Sequence, residues 1–303
     1  MLSSLVLRAL VGVAMRISSI VLSIGLFFVS AAVIKAQILP PPDPKAEEIT
    51  AGNPGLAPFK WAGMLVVNLS NNEIGTCTGQ FIAPNVVLTA GHCVRNIAEN
   101  PAGPWPDLTR AATFWLQYQN RSGIPFKIVC AETNPLWSLP ANYAQLSAAD
   151  QNVALNKAFE HDYAMLLVDG TSPTGFMRYE TDWKGKYTHA ARIGYPADIL
   201  DATVIQKAPG IIFSSDAIPM AGSPNIVGQW GPVADATEGM SGGAWVVHPD
   251  AREGKGNNVL IAVSSFVAVG KKGKVIYPGG SFAAYLKAVE FNPLLISVLN
   301  NCR

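Results

Sequence analysis

Short apolar runs rich in β-branched residues, separated by turn residues, recur along the chain after residue 57. Runs of this length and composition are typical of β-strands. They predict strands at 58–67, 78–83, 85–89, 112–118, 126–131, 203–208, 210–214 and 259–269. Helical spacing of apolar residues predicts helices at 141–159 and near the C-terminus, at 281–290 and 293–301, with Pro293 at a helix start. Many short strands at regular spacing favour an all-β fold over a parallel sheet.

A serine enclosed by glycines stands immediately before another apolar run. The segment reads Thr237-Glu238-Gly239-Met240-Ser241-Gly242-Gly243-Ala244, and the run continues to Val247. Glycines on both sides of a hydroxyl let the backbone turn sharply and bring two amides near a reacting carbonyl, as a nucleophilic serine requires. A glycine-rich turn that enters a strand is also common for structural reasons alone, so this segment by itself leaves both interpretations open.

Two segments farther upstream supply a candidate base and a candidate acid for this serine. A β-rich apolar run ends in a corner of small residues that carries His92, in the sequence Thr89-Ala90-Gly91-His92-Cys93. Asp162 opens a short apolar run that is predicted to be a strand, so its carboxylate is expected at the edge of a buried segment. The remaining histidines are interpreted as structural or surface residues: His161, His189 and His248.

These three segments, in the order His92, Asp162, Ser241, resemble the three signatures of the trypsin/chymotrypsin-like serine peptidases. Gly194-Tyr195-Pro196 after an apolar strand is similar to the glutamyl-endopeptidase-like branch, which is mostly bacterial. The resemblance implies two packed six-stranded antiparallel β-barrels followed by a C-terminal helix. The expected peptidase domain spans 58–303, with barrels at about 58–172 and 185–285 and the helix at about 281–301.

The resemblance also implies the role of each candidate residue in peptide-bond hydrolysis. Ser241 is expected to be the nucleophile, His92 the base that later protonates the leaving amine, and Asp162 the partner that orients His92. The amides of Gly239 and Ser241 are expected to form the oxyanion hole. The expected function is a secreted serine endopeptidase that acts through an acyl-enzyme. The alternative is a catalytically silent binding module that keeps the same fold.

Met240 departs from the pattern of the trypsin branch, which carries an Asp before the serine that pairs with a new N-terminal amine. Activation through such a buried ion pair is therefore not expected, since a buried amine without a carboxylate partner would be unfavourable.

Substrate preference depends on a few residues around the expected specificity pocket. Asp235 occupies the place of the acid that binds Arg or Lys side chains in trypsin-like members, which favours basic substrates, but a solvated loop carboxylate is equally compatible. The expected pocket wall includes Ser265 and Val267, and Val267 stands where deep-pocket members have Gly. The same strand lacks the histidine with which glutamyl endopeptidases recognise Glu, so glutamyl specificity is disfavoured.

The first 36 residues differ from the rest of the chain, because they contain no Asp or Glu, three basic residues and an apolar stretch at 17–34. They predict a secretory signal peptide at 1–36, and a translation start at Met15 would give it ordinary proportions. An uncleaved signal anchor is the alternative. Residues 37–57 are rich in Pro and small residues and predict an exposed leader or propeptide. The expected location is therefore outside the cell or in the periplasm.

Charge and composition constrain the partners. Loss of the signal peptide leaves 19 basic against 21 acidic residues, a net charge of −2, which provides no electrostatic footprint for nucleic acid. We expect a polypeptide substrate, no membrane contact after signal cleavage, and a monomer. No group of His, Cys or Asp has metal-ligand spacing, so neither a metal nor another cofactor is expected.

Four cysteines behind a signal peptide indicate disulfides in an oxidising compartment. The resemblance implies a bridge between Cys77 and Cys93, on either side of the strand and corner that carry His92. For Cys130 and Cys302, a second bridge and two free thiols both remain open.

Overall fold

Antiparallel strands account for most of the regular structure. The computed structural model describes residues 50–69, 73–98, 100–101, 103, 105–183, 186–196, 204–214, 226–230, 239–254, 256–266 and 280–302. In chain order, the strands are β1 (Thr50–Ala51), β2 (Ala62–Asn68), β3 (Ile74–Ala83), β4 (Val86–Thr89), β5 (Ala112–Gln119), β6 (Ser122–Thr133), β7 (Ala164–Val168), β8 (Arg178–Tyr179), β9 (His189–Gly194), β10 (Gln206–Ser214), β11 (Ile226–Trp230), β12 (Ala244–Val247), β13 (Val259–Phe266) and β14 (Gly280–Tyr285). The α-helices are α1 (Leu108–Ala111), α2 (Ala148–Phe159) and α3 (Ala288–Asn301), and 3-10 turns lie at Phe59–Trp61, Gly91–Cys93 and Tyr143–Gln145.

The first barrel closes in the strand order β2-β3-β4-β7-β6-β5, with antiparallel neighbours throughout. In β5, the buried residues Ala112, Phe114 and Leu116 alternate with less buried ones, as expected for a strand with one face in a core. Phe81 meets Phe114 and Phe126 edge-on, at ring-centroid distances of 5.5 and 5.2 Å, a favourable geometry for aromatic pairs. This core fixes the positions of β3, which contains Cys77, and of β4, which leads to the turn with His92.

The second barrel contains six later strands in the order β10-β11-β14-β13-β12-β9. Pairing of β9 with β10 closes the ring. Two short strands are added at its sides, since β1 pairs with β10 and β8 runs parallel to β13. The predicted all-β fold with two six-stranded antiparallel barrels is therefore confirmed.

The C-terminal helix follows the second barrel as predicted, but it begins later than expected. Residues 281–285, predicted as helix, belong to β14, where Phe282, Ala283 and Ala284 are buried between β11 and β13. Strand pairing on both sides outweighs the helical spacing of apolar residues in this segment. Because α3 begins at Ala288, Pro293 lies inside the helix and not at its start.

Other element ends differ from prediction for local reasons. The long predicted helix is shortened to α2 because the Ser147 hydroxyl accepts a hydrogen bond from the Asp150 amide at 3.2 Å and caps the helix. The two strands predicted at 203–214 form one continuous strand, β10, over its described part. The first strand begins at Ala62, after a 3-10 turn, and β11 has no counterpart among the predicted strands.

Part of the predicted leader is attached to the second barrel. β1 pairs with β10, and the Gly52 amide donates to the carbonyl oxygen of Ile205 at 2.7 Å. Residues 50–52 therefore pair with the barrel, although Thr50 and Ala51 stay exposed, and the leader predicted for 37–57 stays a prediction. The predicted signal peptide at 1–36 lies outside the described residues. Among the helices that the structure describes, none has the length and apolarity needed to cross a membrane.

Candidate active site

His92 lies in the 3-10 turn that follows β4, and only 11% of its side chain is exposed. The preceding residue, Gly91, has to be small: a Cβ there would lie 2.9 Å from the ring of Trp137 and 3.0 Å from Asp162 Oδ1. The Trp137 indole in turn donates to the carbonyl oxygen of Arg95 at 2.8 Å. The small residues around His92 thus allow the turn to pack closely against Asp162.

Asp162 lies just before β7, and its carboxylate is fully buried. Its Oδ1 accepts from the His92 amide at 2.7 Å, and its Oδ2 lies 2.7 Å from His92 Nδ1. The Ser265 hydroxyl donates a short hydrogen bond to the same Oδ2. Because an ionised carboxylate only accepts hydrogen bonds, the contact between Asp162 Oδ2 and His92 Nδ1 places a proton on Nδ1. Nε2 of a neutral His92 is then the acceptor.

Ser241 is partly exposed and lies in a turn whose glycines have specific steric roles. Gly239 and Gly242 have φ values of +87° and +83°, in the region that L side chains rarely adopt. Gly243 leaves room for a backbone contact, since a Cβ there would lie 2.2 Å from the carbonyl oxygen of Ile193. The three glycines of the Gly-x-Ser-Gly-Gly sequence are therefore required by the local backbone.

The same turn is seated against the His92 corner of the first barrel. The Ser241 carbonyl oxygen accepts from the Thr78 amide at 2.7 Å. A Cβ at Gly242 would lie 2.3 Å from Thr89 Oγ1 and 2.9 Å from the Ala90 amide nitrogen. The structure thus brings the segments of His92, Asp162 and Ser241 together from three distant parts of the sequence.

The chain is similar to known serine proteases. The Trypsin family model matches residues 57–123, which include the His92 corner. A solved structure of the thermostable serine protease AL20 from an extremophilic microorganism has a TM-score of 0.57 and 18% identity, covering 79% of this chain and 98% of that one. A Glu endopeptidase structure has a TM-score of 0.54 and 17% identity, covering 84% and 97%. This chain has the trypsin/chymotrypsin-like serine protease fold.

The resemblance expected from three short motifs is thereby confirmed. A search of curated proteins found no matching sequence. The fold also occurs in the scabies mite inactivated protease paralogue S-D1, which has a TM-score of 0.53 and 13% identity, covering 80% of this chain and 92% of that one. The protease fold therefore accommodates both active and inactivated members, so activity has to be argued from the site itself.

Two disulfides link separate segments of the protease fold, and one of them lies next to this site. Cys77 and Cys93 are joined, with Cα atoms 6.3 Å apart, and they are the sequence neighbours of Thr78 and His92. Cys130 and Cys302 form the second bridge, which ties β6 to the end of α3. The alternative of two free thiols is therefore wrong. Both groups of metal-ligating atoms found among the described residues include these cysteines, whose sulfurs are bonded to each other and are not thiolates.

The expected specificity pocket is only partly described. Asp235 and Val267 lie outside the described residues, so the preference for basic substrates stays a prediction. Ser265 is buried, and its hydroxyl contacts Asp162. The sequence predicts only a place in the pocket wall for Ser265, because no local pattern connects Ser265 with the Asp162 carboxylate.

The side chain of Met240, the residue before Ser241 in the turn, is buried, with 6% of its surface exposed. It packs against Gly194, where a Cβ would lie 2.9 Å from the Met240 sulfur. Gly194 opens the Gly-Tyr-Pro segment, so this motif provides space for the residue that replaces the Asp of the trypsin branch.

His161, next to Asp162, contacts the C-terminal helix. Its Nδ1 lies 2.7 Å from Glu290 Oε2, which also accepts from Asn134 Nδ2 at 2.8 Å. Burial by itself raises the pKa of Glu290, but the hydrogen bonds from Asn134 and His161, with the nearby charge of Lys287, outweigh it and hold this pKa below its ordinary value. This cluster supports the structural role expected for His161, and it attaches α3 behind the Asp162 segment.

Proposed function

We propose that this chain is a secreted serine endopeptidase. Ser241 Oγ attacks the carbonyl carbon of the substrate peptide bond, and its proton passes to His92 Nε2. The amides of Gly239 and Ser241 donate to the oxyanion that forms. The amine then leaves with the proton from His92, and water hydrolyses the resulting acyl-enzyme with His92 again acting as the base.

The orientation of His92 by Asp162 is the observation that carries this proposal. A carboxylate that is fully buried is unfavourable unless it is well hydrogen-bonded, and Asp162 accepts bonds from both the backbone and the ring of His92. His161 makes a similar contact with Glu290 at the C-terminal helix, but only the His92–Asp162 pair of these two lies beside the serine turn. This arrangement supports the role of His92 as a general base for Ser241.

The two disulfides support a location in an oxidising compartment. We therefore propose that the enzyme acts outside the cell or in the periplasm, as a monomer, on polypeptide substrates. Cleavage after Arg or Lys is the preference that Asp235 predicts.

Fluorophosphonate labelling and peptide digestion test the proposal together. Two forms of the purified protein are compared, one without residues 1–36 and one without residues 1–49. Each form and its Ser241→Ala variant are treated with a fluorophosphonate probe and, separately, incubated with a peptide library. We expect labelling and cleavage of the native sequence and neither for Ser241→Ala. A folded protein that neither labels nor cleaves in either form would contradict the proposal and favour the catalytically silent binding module.

A further inference from the structure

One residue of the first barrel holds both residues whose amides are proposed to bind the oxyanion. Thr78 Oγ1 donates to the carbonyl oxygen of Gly239 at 2.6 Å. The Thr78 amide donates to the carbonyl oxygen of Ser241 at 2.7 Å. Thr78 is fully buried, so water does not compete for these bonds, and the serine turn is anchored to β3 on both sides of Met240.

Other contacts fix the direction of the Thr78 hydroxyl. Its oxygen accepts from the Tyr195 amide at 3.0 Å, and a hydroxyl has one proton, which is therefore directed at Gly239. The Thr78 carbonyl oxygen accepts from Thr89 Oγ1 at 2.8 Å. Gly194 leaves space for this arrangement, since a Cβ there would lie 2.9 Å from Thr78 Oγ1. The hydroxyl thus joins the serine turn to the start of the Gly-Tyr-Pro segment.

The conformation of Gly239 is the feature that this hydroxyl controls. Glycine is conformationally permissive, and a change in φ or ψ at Gly239 would reorient its amide relative to its carbonyl. A hydrogen bond that fixes the carbonyl restricts these rotations and favours the observed φ of +87°. Met240 has no charged group to anchor the turn, so the turn is held by hydrogen bonds to its own backbone, including those from Thr78.

We propose that Thr78 is a positioning residue that holds the oxyanion-binding turn in its productive conformation through the Gly239 carbonyl. The proposal rests on the proposed function, since it concerns the same site. Thr78 acts through Gly239 and Ser241 and does not contact the substrate. In this enzyme, a neutral hydroxyl from the first barrel takes the place of a charged anchor at residue 240.

The test compares Thr78→Val, which removes the hydroxyl at nearly constant shape, with Thr78→Ser, which keeps it. A displacement of about 1 Å or the loss of an oxyanion donor costs roughly 100- to 1000-fold in rate. Because Thr78→Val loosens the turn without removing a donor, we expect it to lower kcat by less, roughly 10- to 100-fold. We expect KM to change by less than about threefold, since ground-state binding is retained. The rate of fluorophosphonate labelling should fall in parallel, and Thr78→Ser should restore both rates to within about threefold of the native enzyme.

Thr174→Val is the matched control, because Thr174 Oγ1 also donates to a backbone carbonyl, that of Lys60 at 2.8 Å, in another part of the fold. It should lower stability without lowering kcat per folded molecule. If Thr78→Val does not fold, Thr78→Ala removes the same hydroxyl without adding volume. A full kcat in a folded variant without the hydroxyl, or an equal loss in Thr174→Val, would overturn the proposal while leaving the peptidase function intact. An inert native protein would overturn both.

Discussion

Replacing Gly242 with alanine tests whether the serine turn must be seated against the first barrel. Gly242 has a φ of +83°, and a Cβ there would lie 2.2 Å from the Thr78 carbonyl oxygen. Real Cβ atoms essentially never come closer than 3.0 Å to such an atom, so the turn and the barrel have to separate by about 0.8 Å, the difference between these distances. The Thr78 amide that holds Ser241 belongs to the same strand, so this separation displaces the nucleophile.

Gly256→Ala provides a matched control, because Gly256 has a φ of +90° but a Cβ there would meet nothing within 4 Å. Both variants place alanine in the left-handed region, which costs about 1–2 kcal/mol. Overpacking adds about 1–3 kcal/mol in Gly242→Ala alone, so its total loss is about 2–5 kcal/mol. Since 1 kcal/mol shifts the Tm of a chain of this size by about 2–4 °C, we expect a fall of roughly 4–20 °C for Gly242→Ala and of roughly 2–8 °C for Gly256→Ala.

Thermal unfolding and steady-state hydrolysis of a cleaved peptide are the assays. A displacement of about 1 Å can cost roughly 100-fold in rate, so we expect a loss of that order in kcat/KM per folded molecule for Gly242→Ala and no loss for Gly256→Ala. Equal Tm values and equal activities in the two variants would refute the steric argument, because it would mean that the turn does not need close contact with Thr78.

Two further predictions concern the carboxylates. Asp162→Asn should leave the fold intact by circular dichroism but lower kcat about 10⁴-fold, the loss described for this change in the serine protease template. The amide has one acceptor oxygen where the carboxylate accepts with both, and its NH2 group would donate to the His92 ring and favour the wrong tautomer. A loss below about tenfold would contradict this. For Glu290, whose pKa is lowered in the fold, the contribution to stability is present above the unfolded pKa of about 4.3 and is lost as pH falls through the lower folded pKa. Denaturant titrations should therefore find Glu290→Gln less stable at pH 7 by about 1–3 kcal/mol and the difference shrinking below about pH 4, whereas a constant difference would argue against a charged contact.

The segments of the candidate site could be located in the sequence because each motif encodes a local steric requirement. Gly239 and Gly242 have positive φ, and Gly91 lies against Trp137 and Asp162, so other residues at these positions would be strained or would clash. The Cys77–Cys93 bridge joins residues that are 16 apart in sequence, as the resemblance implied. Requirements of this kind stay visible in a single sequence even when the overall identity to similar structures, such as AL20 and the Glu endopeptidase, is below 20%.

Contacts between distant segments could not be predicted in the same way. Thr78 and Gly239 are 161 residues apart, and Ser265 and Asp162 are 103 apart, so no local pattern connects them. The apolar residues of β14 are compatible with a helix until strands β11 and β13 are known to flank them. Tertiary pairing decides such segments, and local spacing does not.

The central claim is that His92 and Asp162 activate Ser241, and mapping of a fluorophosphonate adduct tests it most directly. The purified protein is labelled near neutral pH, and the modified residue is located by peptide mass spectrometry beside His92→Ala. The account predicts one adduct, on Ser241, formed in the native protein and nearly absent in His92→Ala. An adduct on another serine, or equal labelling of Ser241 without His92, would contradict it.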